Sequence, residues 1–529
     1  MNEQDFFQLL TRQTQLSRRA FITGALAAGF TLTTAQSLWA QTGGSRPKKG
    51  GHLKAGIAPG QASDTLEPFA WGEPFMISVG FAVWGGLVEY GADGLLKPDI
   101  AESWEHNGDA TRWIFTLRKG VTFSNGKTLT AEDVVNSLNT HRGADSKSGA
   151  KAVFENVDGI KADGDNKIII TLKSAAVEFP YLLTDFHLTI APAKDGKPDY
   201  LSGIGAGPYT LESFKPGARV ELKRNPNSHR QPWFDSAELI CLPDDVARQS
   251  ALVSGAVDII NRPDLKTVDL LARQKGLKVD EVVGRRHYWL TTHTQREPFS
   301  NKDLRLAVKY GLDRAEILNL VYRGHGAIGN DQPITPAYKF HDASLQAKAF
   351  DPDKARFHLK KAGLESLDVE FVVSEVAFDG AVDLITVYQK NAAKAGINIK
   401  IRKESIDGYW DIVHANQPNW YATWWSGRPT EDGMLTAGYS ETSPWNYGHW
   451  LNDRFNQLLK DARSEVNDEK RKQLYFELQH IVSDDSGVVI PVFANTLQAR
   501  SEKIGVPEKL GTGLELDDGR YLERWWRNA

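Results

Sequence analysis

Hydrophobic positions along the chain switch repeatedly between a period of two and a period near 3.6, so strands and helices are interleaved. Leu53 to Ile57 reads as a strand entering a turn at Pro59-Gly60. Trp113, Phe115 and Leu117 alternate with polar residues, and Val121 and Phe123 alternate again, which predicts two strands around Lys119-Gly120. Thr130-Ala131-Glu132-Asp133 is a capping box ahead of Val134, Val135 and Leu138, so a helix starts there. Residues 167–172 predict a strand, and 205–224 predict a turn and then two strands around Pro216-Gly217. Residues 246–254 predict a helix ending at Gly255, and Leu304, Val308 and Leu312 mark one amphipathic helix around 300–320.

Farther along, Asp351-Pro352 opens a helix that closes at Ala362-Gly363. A strand over Leu367 to Val373, a helix over Val382 to Ala395 capped by Gly396, and a strand over Ile397 to Ile401 form a βαβ unit. Such a unit imposes a parallel sheet. The fold class is therefore α/β, with strands of mixed direction in the first half. Ligands of such sheets lie outside the carboxyl ends of strands or between domains.

Length adds that the 529 residues exceed one ordinary core and call for two or three domains. The formal charge of −4 gives no electrostatic reason to expect nucleic acid or an anionic membrane as partner. Cys241 is the one cysteine, so an internal disulfide or a cysteine-rich zinc site is excluded, and a small buried apolar role is expected of it.

Residues 1–40 read as an export leader. Ser17-Arg18-Arg19-Ala20-Phe21-Ile22 is a twin-arginine pattern, followed by a weakly apolar run to a cleavage site near Ala40. With no cysteine at that site, the expected product is a free periplasmic protein rather than a lipoprotein. Loss of three basic and two acidic leader residues takes the formal charge from −4 to −5.

Several reactive motifs fail on context. Gly203-Ile204-Gly205-Ala206-Gly207 precedes a strand, whereas a phosphate loop needs a helix to follow. His287, His293, His414 and His449 are scattered, with no HExxH, so no metal or other cofactor is expected. The acid pairs Glu431-Asp432 and Asp484-Asp485 are adjacent rather than facing, and no GxSxG elbow occurs. The most distinctive stretch runs from Trp420 to Trp450. Tyr421, Trp424, Trp425, Trp445 and Tyr447, interleaved with Arg428, Asp432 and Asn446, are the candidate ligand-binding residues. Dense aromatics with a few polar groups suit a water-excluding pocket; core packing is the competing explanation.

The chain resembles the family 5 extracellular solute-binding proteins, the oligopeptide, dipeptide and nickel-binding type. The resemblance rests on Gly50-Gly51-His52-Leu53-Lys54, Leu66-Glu67-Pro68, Ala101-Glu102-Ser103-Trp104 and the run from Phe115 to Phe123. It continues through Leu129 to Val134, Gly205-Ala206-Gly207-Pro208-Tyr209, Leu312-Asp313-Arg314 and Asp351 to Ala355. It implies a two-lobed class II periplasmic binding protein with mixed sheets and a small third domain. Lobe I would combine 50–89, 200–295 and 484–529; 90–199 would form the small domain and 296–483 lobe II. It further implies a non-enzymatic, monomeric component of an ABC importer that closes as a hinge on a small-molecule or short-peptide ligand and delivers it to permease subunits in the inner membrane.

One position departs from the family pattern. Peptide binders of this type hold the ligand's terminal ammonium with an aspartate in a Trp-x-x-Asp motif; here the matching stretch is Trp425-Ser426-Gly427-Arg428. Asp432 could take that role instead. A guanidinium grips a carboxylate or phosphate rather than an ammonium, which favours an anionic solute such as an opine-like conjugate, a polycarboxylate, a metal chelate or a blocked peptide. The competing explanation is that Arg428 pairs with Glu431 or Asp432 as scaffold. A secreted hydrolase and a sensory module docking a membrane receptor are the competing functions.

Overall fold

The computed structural model describes residues 47–405, 408–416 and 418–529; the leader lies outside the described residues. The strand His52–Ile57 sits inside a seven-stranded sheet in the order 209–215, 219–224, 236–241, 52–57, 259–261, 496–501, 277–282. It pairs in parallel with Ser236–Cys241 and Ile259–Asn261, so the chain must leave and return by long crossovers. The first crossover contains the small domain, a four-stranded antiparallel sheet in the order 101–106, 112–117, 167–172, 157–162. Its helix Ala131–Asn139 starts with the expected reciprocal cap between Thr130 and Asp133.

A second seven-stranded sheet has the order 326–328, 492–494, 287–292, 420–425, 367–373, 397–403, with 488–489 also paired to 287–292. Leu367–Val373 and Ile397–Lys403 run parallel around helix Ala381–Ala393, as the βαβ pattern requires. The chain crosses between the two large sheets twice, at 283–286 and at 495. The crossings touch, with Ala494 N–H donating to the Arg286 carbonyl at 3.1 Å. Strands 287–292 and 488–494 thus belong with the second sheet, whereas the expected lobe boundaries gave both to lobe I. The switch follows from strand pairing, which joins residues far apart in the chain.

Two local expectations change. Residues 112–117 pair with 101–106 and 167–172 instead of folding back on 121–123. Val121 and Phe123 are buried in a loop, where Ser124 N–H reaches the Gly205 carbonyl at 2.9 Å. The helix expected around 300–320 is two helices, Lys302–Tyr310 and Arg314–Leu320, because Asp313 caps the second by accepting from Glu316 N–H. Cys241 is half-buried beside Gly60, its thiol pKa raised by burial and by Asp64. Among the described residues, no helix is long and apolar enough to cross a membrane.

Candidate functional site

The two large sheets face each other across a cavity of about 720 Å³. Pro59, Arg248 and Arg262 line it from the first lobe, and Phe378, Trp424 and Arg428 from the second. The strand Trp420–Trp425 is central in its sheet and buried on both faces, which sends Trp420 and Tyr421 into the core. Only its last residues, Thr423 to Trp425, reach the cavity.

The chain then turns through Gly427 at φ +90°. A Cβ there would lie 2.4 Å from Arg285 Cβ, so glycine lets the site loop press against the crossing segment. Arg428 N–H donates to the Tyr338 hydroxyl at 2.9 Å, and Arg285 Nη1 donates to the Arg428 carbonyl at 3.0 Å. These contacts hold the Arg428 guanidinium over Trp425 at 5.0 Å and over Trp445 at 5.5 Å. Among the described residues, its one side-chain hydrogen bond goes to the Gly427 carbonyl at 3.0 Å, and none of their carboxylates lies within 4.0 Å of it. Burial draws its pKa down, and Asp185 only partly offsets this.

Of the eight expected residues, Arg428, Trp424, Trp425, Trp445 and Tyr447 line the cavity. Three do not. Tyr421 is buried in the core and donates to the Tyr447 carbonyl at 3.3 Å. Asp432 faces away and takes Arg463 Nε and Nη2 at 3.1 and 3.0 Å. Asn446 closes its own loop, with Nδ2 on the Trp450 carbonyl at 2.7 Å. Glu431 accepts from Phe340 N–H at 2.6 Å. With both acids engaged elsewhere, the scaffold pairing of Arg428 is not formed. Trp420, Tyr439 and Trp450 are core residues, so the aromatic stretch divides between core and cavity. His414 alone of the four scattered histidines lines the cavity; His293 and His449 stack on each other at 4.2 Å.

The sequence reading missed a charged cluster at the cavity floor. Glu515 accepts from Arg262 Nε at 2.6 Å, from Asn261 Nδ2 at 2.7 Å and from Arg286. Burial opposes its ionisation, but the two guanidiniums overcome this and hold its pKa at about 2. Glu73, also on the cavity wall, has its pKa raised by burial. No local signal marks this cluster, since Arg262 and Glu515 stand 253 residues apart. Among the described residues, no group of three or more His, Cys, Asp or Glu is placed to hold a metal ion.

Residues 96–447 match the model of the bacterial extracellular solute-binding proteins, family 5, middle region. The dipeptide-binding protein of Escherichia coli K12 is 25% identical over 440 residues, covering 74% of this chain and 80% of that one. The periplasmic binding protein DppA from Helicobacter pylori, solved with the peptide STSA, superposes with a TM-score of 0.78 at 20% identity, covering 91% and 99% of the two chains. AgaA from A. tumefacien R10, solved with agropinic acid, gives a TM-score of 0.78 at 23% identity, covering 90% and 99%. Both structural likenesses are likenesses of fold.

Proposed function

The chain belongs to the bacterial extracellular solute-binding proteins of family 5, and on that premise we propose that it captures a peptide or peptide-like small solute through a carboxylate. The solute is held between the two lobes and delivered to the permease of an ABC importer. The ligands of the dipeptide-binding relative, of DppA and of AgaA support this class of cargo. Arg428 carries the reading. A guanidinium held between two indoles, with no salt bridge to a carboxylate among the described residues, is open to a ligand carboxylate on the cavity side. Such a carboxylate accepts two parallel N–H bonds, whereas an ammonium at the same place is repelled.

The action is binding alone. The solute must favour the closed arrangement of the lobes over the open one, and the permease reads closure. The twin-arginine leader supports export to the periplasm, with cleavage near Ala40, and the protein works as a monomer.

Native mass spectrometry of protein purified without unfolding identifies the cargo: an acidic mass, unchanged on incubation, is expected. A cationic solute without an acidic group would overturn the reading. Arg428→Asp is expected to weaken binding of an acidic solute by about 2–5 kcal/mol, and unchanged affinity would remove Arg428 as anchor.

A further inference from the structure

A second cavity, of about 180 Å³, lies between the small domain and the second lobe. Arg428 and Trp445 line both cavities. The remaining wall includes Val153, Phe179 and Leu182 from the small domain and Pro429, Ala437 and Pro444 from the second lobe. Most polar side chains on this wall have partners within the protein, and Glu155 is exposed at its edge. Asp432 is held by Arg463, which also donates to Thr436 Oγ1 at 2.8 Å. Asp185 pairs with His187 at 2.5 Å, Asn156 Oδ1 accepts from Ser174 Oγ at 2.8 Å, and Ser443 Oγ donates to the Ala437 carbonyl at 2.5 Å. With these polar groups satisfied, the surface left for a guest is mainly carbon.

We infer that this chamber receives an apolar arm of the bound solute, a phenyl ring or branched alkyl group, while its carboxylate sits on Arg428. The inference rests on the proposed carboxylate anchor and adds what the rest of the solute must be. Size supports it, because an engineered apolar cavity of about 150 Å³ is enough to take up benzene. Placement supports it too. The small domain is tied to the first lobe, by Gly149 N–H to the Phe69 carbonyl at 2.9 Å and by Ser124 N–H to the Gly205 carbonyl at 2.9 Å. The opposite wall belongs to the second lobe. A group seated between them touches both bodies at once, so its burial favours the closed arrangement over the open one, which is the differential affinity that closure requires.

The test uses three probes with one carboxylate and different arms: N-acetylglycine, N-acetylleucine and N-acetylphenylalanine, titrated calorimetrically into the full mature protein. The phenyl and isobutyl probes are expected to bind about tenfold to a hundredfold more tightly than the glycine probe, the gain from burying such a group. Ala437→Trp and, from the opposite wall, Val153→Phe are each expected to shrink that ratio to within about twofold. Because the ratio is read within each variant, a general loss of affinity does not mimic the result. Failure of the apolar probes to bind, or an advantage that survives in both filled variants, would overturn the inference. Arg428→Ala separates it from its premise: all three probes weakened alike, with no advantage for an arm, leaves the anchor standing and removes the chamber. Three affinities untouched by Arg428→Ala remove the anchor itself.

Discussion

Arg428 was legible in the sequence because it stands where a charge of opposite sign is expected. What decides its role was not. The acids that could have neutralised it are three and four residues away, yet tertiary packing gives Glu431 to Phe340 N–H and Asp432 to Arg463. Tyr421 illustrates the same limit, since residues later in its strand line the cavity while its own side chain faces the core. The residue beside Arg428 carries a sharper prediction. Gly427 combines φ +90° with a Cβ position 2.4 Å from Arg285 Cβ. Gly427→Ala is expected to cost about 1–3 kcal/mol of stability from backbone strain alone and to weaken solute binding by shifting Arg428. Denaturant unfolding and calorimetry check both. A variant as stable and as tight-binding as the parent would mean that the loop has room the geometry denies.

Elements were read best where a cap or a turn residue has a purely local job. The Thr130–Asp133 capping box, the Asp351 cap and the Pro216-Gly217 hairpin are all formed. Pairing partners were not legible: 112–117 takes 101–106 and 167–172 as neighbours instead of the expected hairpin with 121–123. The turn that holds Glu515 lay beyond any local signal. Leu516, Asp517 and Asp518 all take left-handed φ values of 52°, 59° and 59°, a conformation that costs non-glycine residues energy. Asp517 accepts from Gly511 N–H at 2.7 Å and Arg524 Nη1 at 2.8 Å, and Asp518 accepts from Gly513 N–H at 2.7 Å. These bonds aim Glu515 at Arg262 and Arg286. Its pKa in the folded protein, about 2, lies below the ordinary glutamate value of 4.5. The ion cluster therefore contributes stability above that ordinary value and loses it as pH falls from 4.5 towards 2. Glu515→Gln is expected to cost about 3 kcal/mol at neutral pH, and its cost should shrink across that acid window. Urea unfolding at a series of pH values tests this; a cost independent of pH would show that shape, not charge, is what the turn supplies.

At the scale of the molecule, the resemblance led to two lobes and a small domain, while the points at which the chain changes sheets came only from pairing. The small domain bears on the proposed closure through one buried acid. Glu178 belongs to the small domain but faces the second lobe, where Tyr475 donates to it at 3.2 Å and Arg471 Nε lies 3.7 Å away. Burial, then the charge of Glu431 and that of Asp432, push its pKa up to about 8 against the pull of Arg471. In the proposed opening of the lobes, this contact parts, the carboxyl regains water and its pKa returns towards the ordinary value near 4.5. Closure then takes up a proton between those two values, so it is favoured at the acid end and weakens as pH rises towards 8. Solute affinity, which is linked to closure, should follow the same slope. Titrations from about pH 5 to about pH 9 in buffers of different ionisation enthalpy are expected to reveal proton uptake on binding, and Glu178→Gln should flatten the profile while keeping the Tyr475 hydrogen bond. A parent protein whose affinity does not vary across this range, or a slope unchanged by Glu178→Gln, would mean that this contact does not open when the lobes separate and that the small domain moves with the second lobe.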